Sequence, residues 1–255
     1  MKDASRLIFN LDIGQMKPEN IVNRHSYCPF CDRPNLTGII EKYGSIWLIK
    51  NKYPVLEDTY QTVLIETDDC DSELSLYPKR HLYDVIGFGL KKWLEMLKSG
   101  DYVSVIFYKN HGPYSGGTIR HPHMQIVGLK KVDCMLATHK NHFTGTTIAK
   151  TSDAELNLSD NPRIGFFEFN VLLHNSASHE NFSDFIQLAT HFVLNRFNRT
   201  CNSYNLFFYY LDNTIIAKIV PRFITSPLFI GYSIPQVASE KRRNQLLQDI
   251  QEIYF

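Results

Sequence analysis

Apolar and polar positions along the chain fall into two runs of the same order. Ser45-Ile46-Trp47-Leu48-Ile49 reads as a strand, with a turn after it at Asn51-Lys52-Tyr53-Pro54. Gln61–Thr67, built on Thr62-Val63-Leu64-Ile65, reads as a second strand. Leu82–Lys98 carries Val85, Leu90, Leu94 and Leu97 at helical spacing, and Gly100 stops it. Tyr102–Lys109 is then a strand. Asn110–Arg120 is a turn-rich loop with Gly112, Pro113, Gly116 and Gly117, and His121–Leu129 is again a strand. After a stretch rich in Thr, Asn and Ser, Asp133–Pro162, the order recurs. Ile164–Leu173 predicts a strand. Ser183 is placed to cap a helix running to Phe197, with Phe185, Leu188, Phe192 and Val193 on one side. Leu206–Leu211 and Ile215–Val220 predict two more strands, Ser239–Ile253 a final helix, and the aromatic run Phe207–Tyr210 is expected in the core. Strand, helix, strand, turn, strand thus occurs twice, without close residue identity between the halves. Helices set against antiparallel sheet predict an α+β class. The expected division is a first unit at 1–132, a connector at 133–163 and a second unit at 164–255.

Composition adds exclusions. With 255 residues, 44% hydrophobic and 21% charged, the chain has ordinary globular values, and long disorder is excluded. Lys and Arg total 27 against 26 Asp and Glu, a net charge of +1. That balance argues against a nucleic-acid partner and leaves room for a local positive site for a small phosphate ligand. The apolar run near Met1–Asn10 is too short for a signal segment, and no stretch approaches the roughly 20 apolar residues of a membrane helix. A soluble, cytoplasmic protein without a membrane partner is the expectation. The five cysteines are odd in number and only Cys28 and Cys31 sit close together, which speaks against a disulfide framework.

The strongest chemical signal is His121-Pro122-His123-Met124-Gln125-Ile126. On a strand, His121, His123 and Gln125 share one face. Two imidazoles and an amide in a row are costly as a core stripe unless each finds a partner, and they suit the wall of a polar site. Just upstream, Gly116-Gly117-Thr118 lets backbone N–H groups approach an anion, and the Thr hydroxyl adds a donor. Cys28-Pro29-Phe30-Cys31 is open to three readings: a redox pair, half of a zinc site, or two ordinary buried thiols. The redox reading needs a buried strand before the first Cys, and Glu19–Tyr27 does not read as one. The zinc reading needs two further ligands, and no second Cys-x-x-Cys exists.

His121-x-His123-x-Gln125 resembles the histidine-triad signature. The form His-Pro-His-x-Gln resembles its transferase branch, typified by galactose-1-phosphate uridylyltransferase. Asn110-His111-Gly112 and Gly116-x-Thr118 stand where that branch carries Asn-Lys-Gly and Gly-x-Ser. Asn51-Lys52-Tyr53-Pro54-Val55-Leu56 resembles its nucleoside-contacting turn, and Phe229-Ile230-Gly231-Tyr232 its closing segment. The resemblance implies a tandem pair of histidine-triad-like units, each an antiparallel sheet with a packed helix, the second degenerate. It implies a nucleotidyltransferase of galactose metabolism that moves a nucleoside monophosphate between a nucleotide-sugar and a sugar 1-phosphate through a nucleotidyl-histidine.

In that reading His123 is the nucleophile and Gln125 bonds the phosphoryl group. Asn51, Asn110, Gly116, Gly117 and Thr118 hold the nucleotide. A structural zinc is held by Cys28, Cys31, His81 and His121, with His25 competing for the place of His81. A homodimer is the oligomeric expectation. Gln125, where hydrolytic relatives carry His, tilts the reading toward transfer; a nucleotide phosphorylase or hydrolase, and a non-catalytic nucleotide-binding relative, are the alternatives. The chain also departs from the family. His111 replaces a frequent Lys, and Lys52 stands where an acidic nucleoside contact often lies. The stretch Ile215–Arg222 occupies the place of the second His-x-His and has no His. A second metal site and second-unit catalysis are therefore expected to be absent, and Lys218 and Arg222 are left either as sugar-phosphate ligands or as solvated charges.

Overall fold

Strand β3 (Thr59–Ile65) is buried along nearly its whole length rather than on alternate residues. A strand reads this way when both faces of its sheet are covered, and in the computed structural model they are. The structure describes residues 6–174, 178–198, 200–224 and 227–255; Met1–Ser5, part of the N-terminal stretch read above, lie outside them. The chain divides into two compact units, 1–73 with 80–138, and 74–79 with 139–255.

In the first unit, β1 (Ile39–Tyr43), β2 (Ile46–Lys50), β3, β4 (Ser104–His111) and β5 (His123–Leu129) form antiparallel neighbours in the order β1-β2-β3-β5-β4. A five-residue helix, α1 (Leu11–Gln15), precedes them, capped by the Asn10 side chain on the Ile13 N–H at 3.0 Å. The long helix α2 (Lys79–Lys98) crosses between β3 and β4 and buries Leu82, Val85, Ile86, Leu90 and Trp93. Gly89 makes its close approach to the sheet feasible: a Cβ there would stand 2.6 Å from the Phe107 ring. The Trp93 indole donates to the Val105 carbonyl at 3.0 Å and ties helix to sheet. On the other face Phe30, Ile49, Val63 and Ile65 form a second apolar cluster, flanked by Leu36, Trp47 and Ile119.

The second unit repeats the plan. Its strands β6 (Gly145–Lys150), β7 (Ala154–Ser159), β9 (Phe169–Leu173), β10 (Tyr204–Leu211) and β11 (Thr214–Pro221) are ordered β10-β11-β9-β7-β6. Helix α3 (Glu180–Phe192) crosses between β9 and β10 and packs on β7, β9 and β11. Gln187 on α3 donates to the carbonyls of Leu74 (3.2 Å) and Tyr77 (2.9 Å), which binds residues 74–79 to this unit. A short α4 (Pro227–Tyr232), a two-stranded pairing of β8 (Gly165–Phe166) with β12 (Gln236–Val237), and α5 (Glu240–Tyr254) complete it. Ser239 caps α5 on the Arg242 N–H. Among the described residues no helix is long and apolar enough to cross a membrane.

The α+β class and the duplicated unit agree with the sequence reading, and four local expectations do not. The connector 133–163 contains β6, whose exposed Thr146 and Thr147 hide its strand character, and β7, where Asn157 and Ser159 are buried among Ala154, Leu156 and Leu158. Ser183 is buried inside α3 and donates to the His179 carbonyl at 2.7 Å rather than capping. The predicted strand Ile164–Leu173 is broken after Phe166, the last residue of β8, which has φ 59°, and resumes at β9. In the aromatic run Phe208 is buried, but Tyr210, near the end of β10 beside the turn at Asp212, is 42% exposed.

Candidate functional site

The turn Cys28–Cys31 closes through a hydrogen bond from the Cys31 N–H to the Cys28 carbonyl at 3.2 Å. It aims both thiols at the residue just before β5. There Cys28, Cys31, Cys70 and His121 offer three Sγ atoms and one imidazole nitrogen, all within 4.8 Å of one another. His121 is fully buried. Its Nε2–H donates to the Thr67 carbonyl at 2.8 Å, which leaves Nδ1 facing the Cys31 Sγ at 3.5 Å. An imidazole oriented by a backbone carbonyl, beside three thiols, is the donor chemistry of a structural zinc. The four residues fit such an ion, and it would fasten the N-terminal segment to the start of β5. Burial pushes the Cys28 thiol up, yet hydrogen bonds from His121 and Cys31 outweigh it and bring Cys28 down to about 6.

His81 is not in this group. It sits in the first turn of α2, and Cys70 stands in the place expected for it; His25 is exposed and also outside. The reason lies in the sheet. Ile65, the last residue of β3, pairs with His123, the first of β5, so the chain leaving β3 runs alongside Pro122 and His121. The Glu66 N–H donates to the Pro122 carbonyl at 3.1 Å and extends that pairing toward Cys70. A single Cys in Asp68-Asp69-Cys70-Asp71 carries no spacing motif, but its distance from the end of β3 is a usable signal. Arg120 reaches the Cys70 Sγ at 3.9 Å and Asp71 at 2.6 Å, and Arg33 pairs with Asp68 at 2.9 Å, so two guanidiniums flank the thiols.

His123 and Gln125 lie on one face of β5, opposite Ile65 and Val63 of β3. They line a cavity of about 290 Å³ together with Asn51, Asn110, Gly116, Gly117 and Thr118. The structure thus brings together every residue that the resemblance assigns to nucleotide and phosphoryl contact. The His123 Nδ1–H donates to the His121 carbonyl at 2.7 Å, which fixes the tautomer and leaves Nε2 as the lone-pair nitrogen. Burial, ahead of the nearby cations, holds the His123 imidazolium down to about 4. The Phe30 ring, set between the two cysteines, meets the His123 ring edge-on at 5.3 Å and the His121 ring at 5.9 Å. Ile49, Val63, Leu36 and Ile119 give the cavity an apolar wall.

The loop before β5 turns at Gly112 and Gly116, whose φ values of 82° and 84° are open to glycine without strain. Ser115 closes it, with its hydroxyl donating to the Gly112 carbonyl at 2.7 Å and accepting from the Gly117 N–H at 3.3 Å. The Asn51 Oδ1 accepts from the Tyr53 N–H at 2.8 Å and shapes the turn after β2.

Lys17 carries no motif and was missed. It lines the same cavity, and burial lowers its pKa; no carboxylate pairs with it among the described residues. Lys50 and Lys52 also line the cavity. Asp32, the one carboxylate on that wall, accepts from the Tyr27 hydroxyl and from the Asn35 amide at 3.0 Å. A cavity with three ammonium groups and one engaged carboxylate favours an anionic ligand.

Lys218 fits neither reading offered for it. It is fully buried on β11, pairs with the equally buried Glu168 at 2.9 Å, and donates to Asn170 at 2.9 Å and to the His142 carbonyl at 2.8 Å. Glu168 also accepts from the N–H groups of Arg163 (2.9 Å) and Ile164 (2.8 Å). The ammonium is thus consumed by the core of the second unit.

Two like α+β units, the first carrying His123 and Gln125 under a glycine loop beside a sulfur-rich donor cluster, define a protein of the uridylyltransferase fold. Within that class the chain belongs to the DUF4931 family. Residues 9–132 match the N-terminal domain of that family, described as a domain of unknown function, and residues 136–255 match its C-terminal domain. The crystal structure of a DUF4931 family protein from Bacillus cereus ATCC 10987 is 45% identical, with a TM-score of 0.75 over 82% of this chain and 98% of that one. An ADP-glucose phosphorylase from Arabidopsis thaliana, solved with bound ADP-glucose, is 15% identical with a TM-score of 0.72 over 90% of each chain. A uridylyltransferase is 12% identical with a TM-score of 0.70 over 91% of this chain and 93% of that one. These last two share the fold. No curated protein matches the chain.

Proposed function

We propose that the protein is a nucleotidyltransferase that moves a nucleoside monophosphate from a nucleotide-sugar to a phosphate-bearing acceptor, a sugar 1-phosphate, through a nucleotidyl-histidine on His123. The observation that carries this is the Nδ1–H of His123 committed to the His121 carbonyl at 2.7 Å, in a cavity shared with Gly116–Thr118, Gln125 and Lys17.

The Nε2 lone pair attacks the α-phosphorus and forms a P–N bond. The bridging P–O bond breaks, and its electron pair leaves on the sugar 1-phosphate. The imidazole keeps its Nδ1 proton, and the positive charge it gains is stabilised by the His121 carbonyl. A phosphate oxygen of the acceptor then attacks the same phosphorus, and the P–N electrons return to Nε2. A phosphate leaving group needs no proton, which suits an amide rather than a third imidazole at position 125. The loop, Gln125 and Lys17 supply donors and charge to the non-bridging oxygens. The apolar wall of Leu36, Ile49, Val63 and Ile119 suits a nucleobase. A zinc held by Cys28, Cys31, Cys70 and His121 would supply no reacting group; these residues would then hold His121, whose carbonyl orients His123, and Phe30, whose ring meets that of His123.

The test is mass spectrometry of protein quenched after mixing with UDP-glucose, UDP-galactose or ADP-glucose in turn, followed by acceptor trials with sugar 1-phosphates, inorganic phosphate and water. A nucleotide adduct on His123, discharged by a sugar 1-phosphate, is the expected result. Normal turnover in His123→Gly refutes the mechanism, and discharge by inorganic phosphate alone redefines the enzyme as a phosphorylase.

A further inference from the structure

Asn20 reaches the site from outside every motif. It is 3% exposed and follows Lys17 and Pro18, both of which line the cavity. Its backbone N–H donates to the Thr118 carbonyl at 2.9 Å, and its side-chain Oδ1 accepts from the Arg120 N–H at 2.6 Å. One residue thus makes two hydrogen bonds to positions two apart, as a neighbouring strand would, although neither segment is a strand. The next residue, Ile21, continues the contact: its Cδ1 stands 3.4 Å from where a Cβ on Gly117 would lie.

Ser115 ties Gly112 to Gly117, Asn20 bonds the backbone at Thr118 and Arg120, and the Arg120 guanidinium is engaged separately by Asp71 and the Cys70 Sγ. Beyond Arg120 the chain enters the thiol cluster at His121 and then His123. The segment that makes the bracket is itself stiffened, since the Glu19 carboxylate accepts from the N–H groups of Val22 at 2.6 Å and Asn23 at 3.2 Å.

We infer that Asn20 is a positioning residue: its side chain holds the second half of the glycine loop in the orientation that presents Gly116–Thr118 to the cavity beside His123, without touching substrate itself. The nature of the loop's ligand rests on the function proposed above; the bracket does not. A loop held at one point pivots, and donors that must meet a phosphoryl group in its transition state lose most from pivoting.

The experiment compares the whole protein with Asn20→Ala, which removes the acceptor, and Asn20→Asp, which keeps an oxygen in its place. Hydrogen exchange is followed at the amides of residues 115–120, of β5 and of α2. Losing one buried acceptor speeds loop exchange in Asn20→Ala by about tenfold, with β5 and α2 unchanged and Asn20→Asp close to the parent. Titration with uridine monophosphate follows the same order, weakened about tenfold in Asn20→Ala and largely restored in Asn20→Asp. In turnover, Asn20→Ala lowers kcat more than it raises KM. If Asn20→Ala does not fold, Asn20→Ser, whose hydroxyl is too short to reach the Arg120 N–H, takes its place.

Unchanged loop exchange on loss of the acceptor overturns the inference. So does a loss of protection spread over the whole first unit that Asn20→Asp fails to restore. A parent protein that transfers no nucleotide refutes the functional reading alone, and the exchange comparison still decides the role of Asn20.

Discussion

Cys70→Ser and His81→Ala, made side by side, separate two descriptions of the metal site. Sequence resemblance assigns His81 as the third ligand; the structure places the Cys70 thiol with Cys28, Cys31 and His121 inside 4.8 Å. A structural zinc in a small site contributes on the order of 10–16 kcal/mol of binding free energy near neutral pH. Divided over four ligands, one thiolate accounts for about 3–4 kcal/mol, or a loss of about 100- to 1000-fold in affinity when serine replaces it. The estimate is not softened by neighbours, because Arg120 and Arg33 stand against the thiols with positive charge and offer no substitute donor. Zinc affinity is read by competition with a chromophoric chelator at fixed pH, and the metal-to-chain ratio by elemental analysis. The parent and His81→Ala proteins retain about one zinc per chain with affinities within about threefold. Cys70→Ser releases its metal to the chelator and melts at lower temperature, since binding and folding are coupled. Metal loss from His81→Ala equal to that from Cys70→Ser, or full retention by Cys70→Ser, refutes the structural assignment.

Two further outcomes follow from the same geometry. Lys17→Met removes the cavity's half-buried ammonium and weakens binding of a nucleotide-sugar by about 10- to 100-fold, the scale of a charged hydrogen bond, while uridine binds as before; calorimetric titration checks both. Lys218→Met leaves Glu168 charged and buried without its cation and costs about 3–5 kcal/mol, read from urea unfolding, whereas the KM for the acceptor in the folded protein is unchanged. A cost below about 0.5 kcal/mol would mark Lys218 as a surface charge.

The parts legible in the sequence are those whose signal is local. The helix α2 shows in its apolar spacing, and His123 and Gln125 share a face because a strand has period two. The residues that escaped are placed by pairing across the chain. Cys70 joins Cys28 and Cys31 because β3 runs antiparallel to β5. Asn20 meets Arg120 at a separation of 100 residues. Lys17 and Phe30 belong to the site only because the Cys28–Cys31 turn folds over the sheet. β6 and β7 were hidden for another reason: Thr146, Thr147 and Glu155 occupy their outer positions, so apolar content alone understates them. Lys218 misled because a charged residue is normally solvated, and Glu168 with Asn170 overrides that expectation.

The duplicated frame also accounts for why the proposed chemistry falls on one half alone. In the first unit the last residue of β3, Ile65, faces His123, and two residues on Val63 faces Gln125, which in turn faces Tyr108 of β4. In the second unit the last residue of β9, Leu173, faces Ile215, and Val171 faces Ala217, which faces Phe208 of β10. The backbone positions correspond, so Ile215 stands where His123 stands and Ala217 where Gln125 stands. Ile215 and Ala217 are both buried, and an aliphatic pair at that register offers neither a lone pair to phosphorus nor a donor to its oxygens. The residue next to Ala217, on the opposite face, is Lys218, and Glu168 locks it into the core. Changing Ile215 and Ala217 to His and Gln would restore the side chains without the rest. A histidine at 215 acts only if a preceding carbonyl fixes its tautomer and a glycine loop faces it. The chain between β10 and β11 is instead the tight turn Asp212-Asn213, with φ values of 49° and 62°. Where the first unit spends eleven residues, 112–122, between its paired strands on a phosphoryl-sized loop, the second has two, and the proposed reaction has no room there.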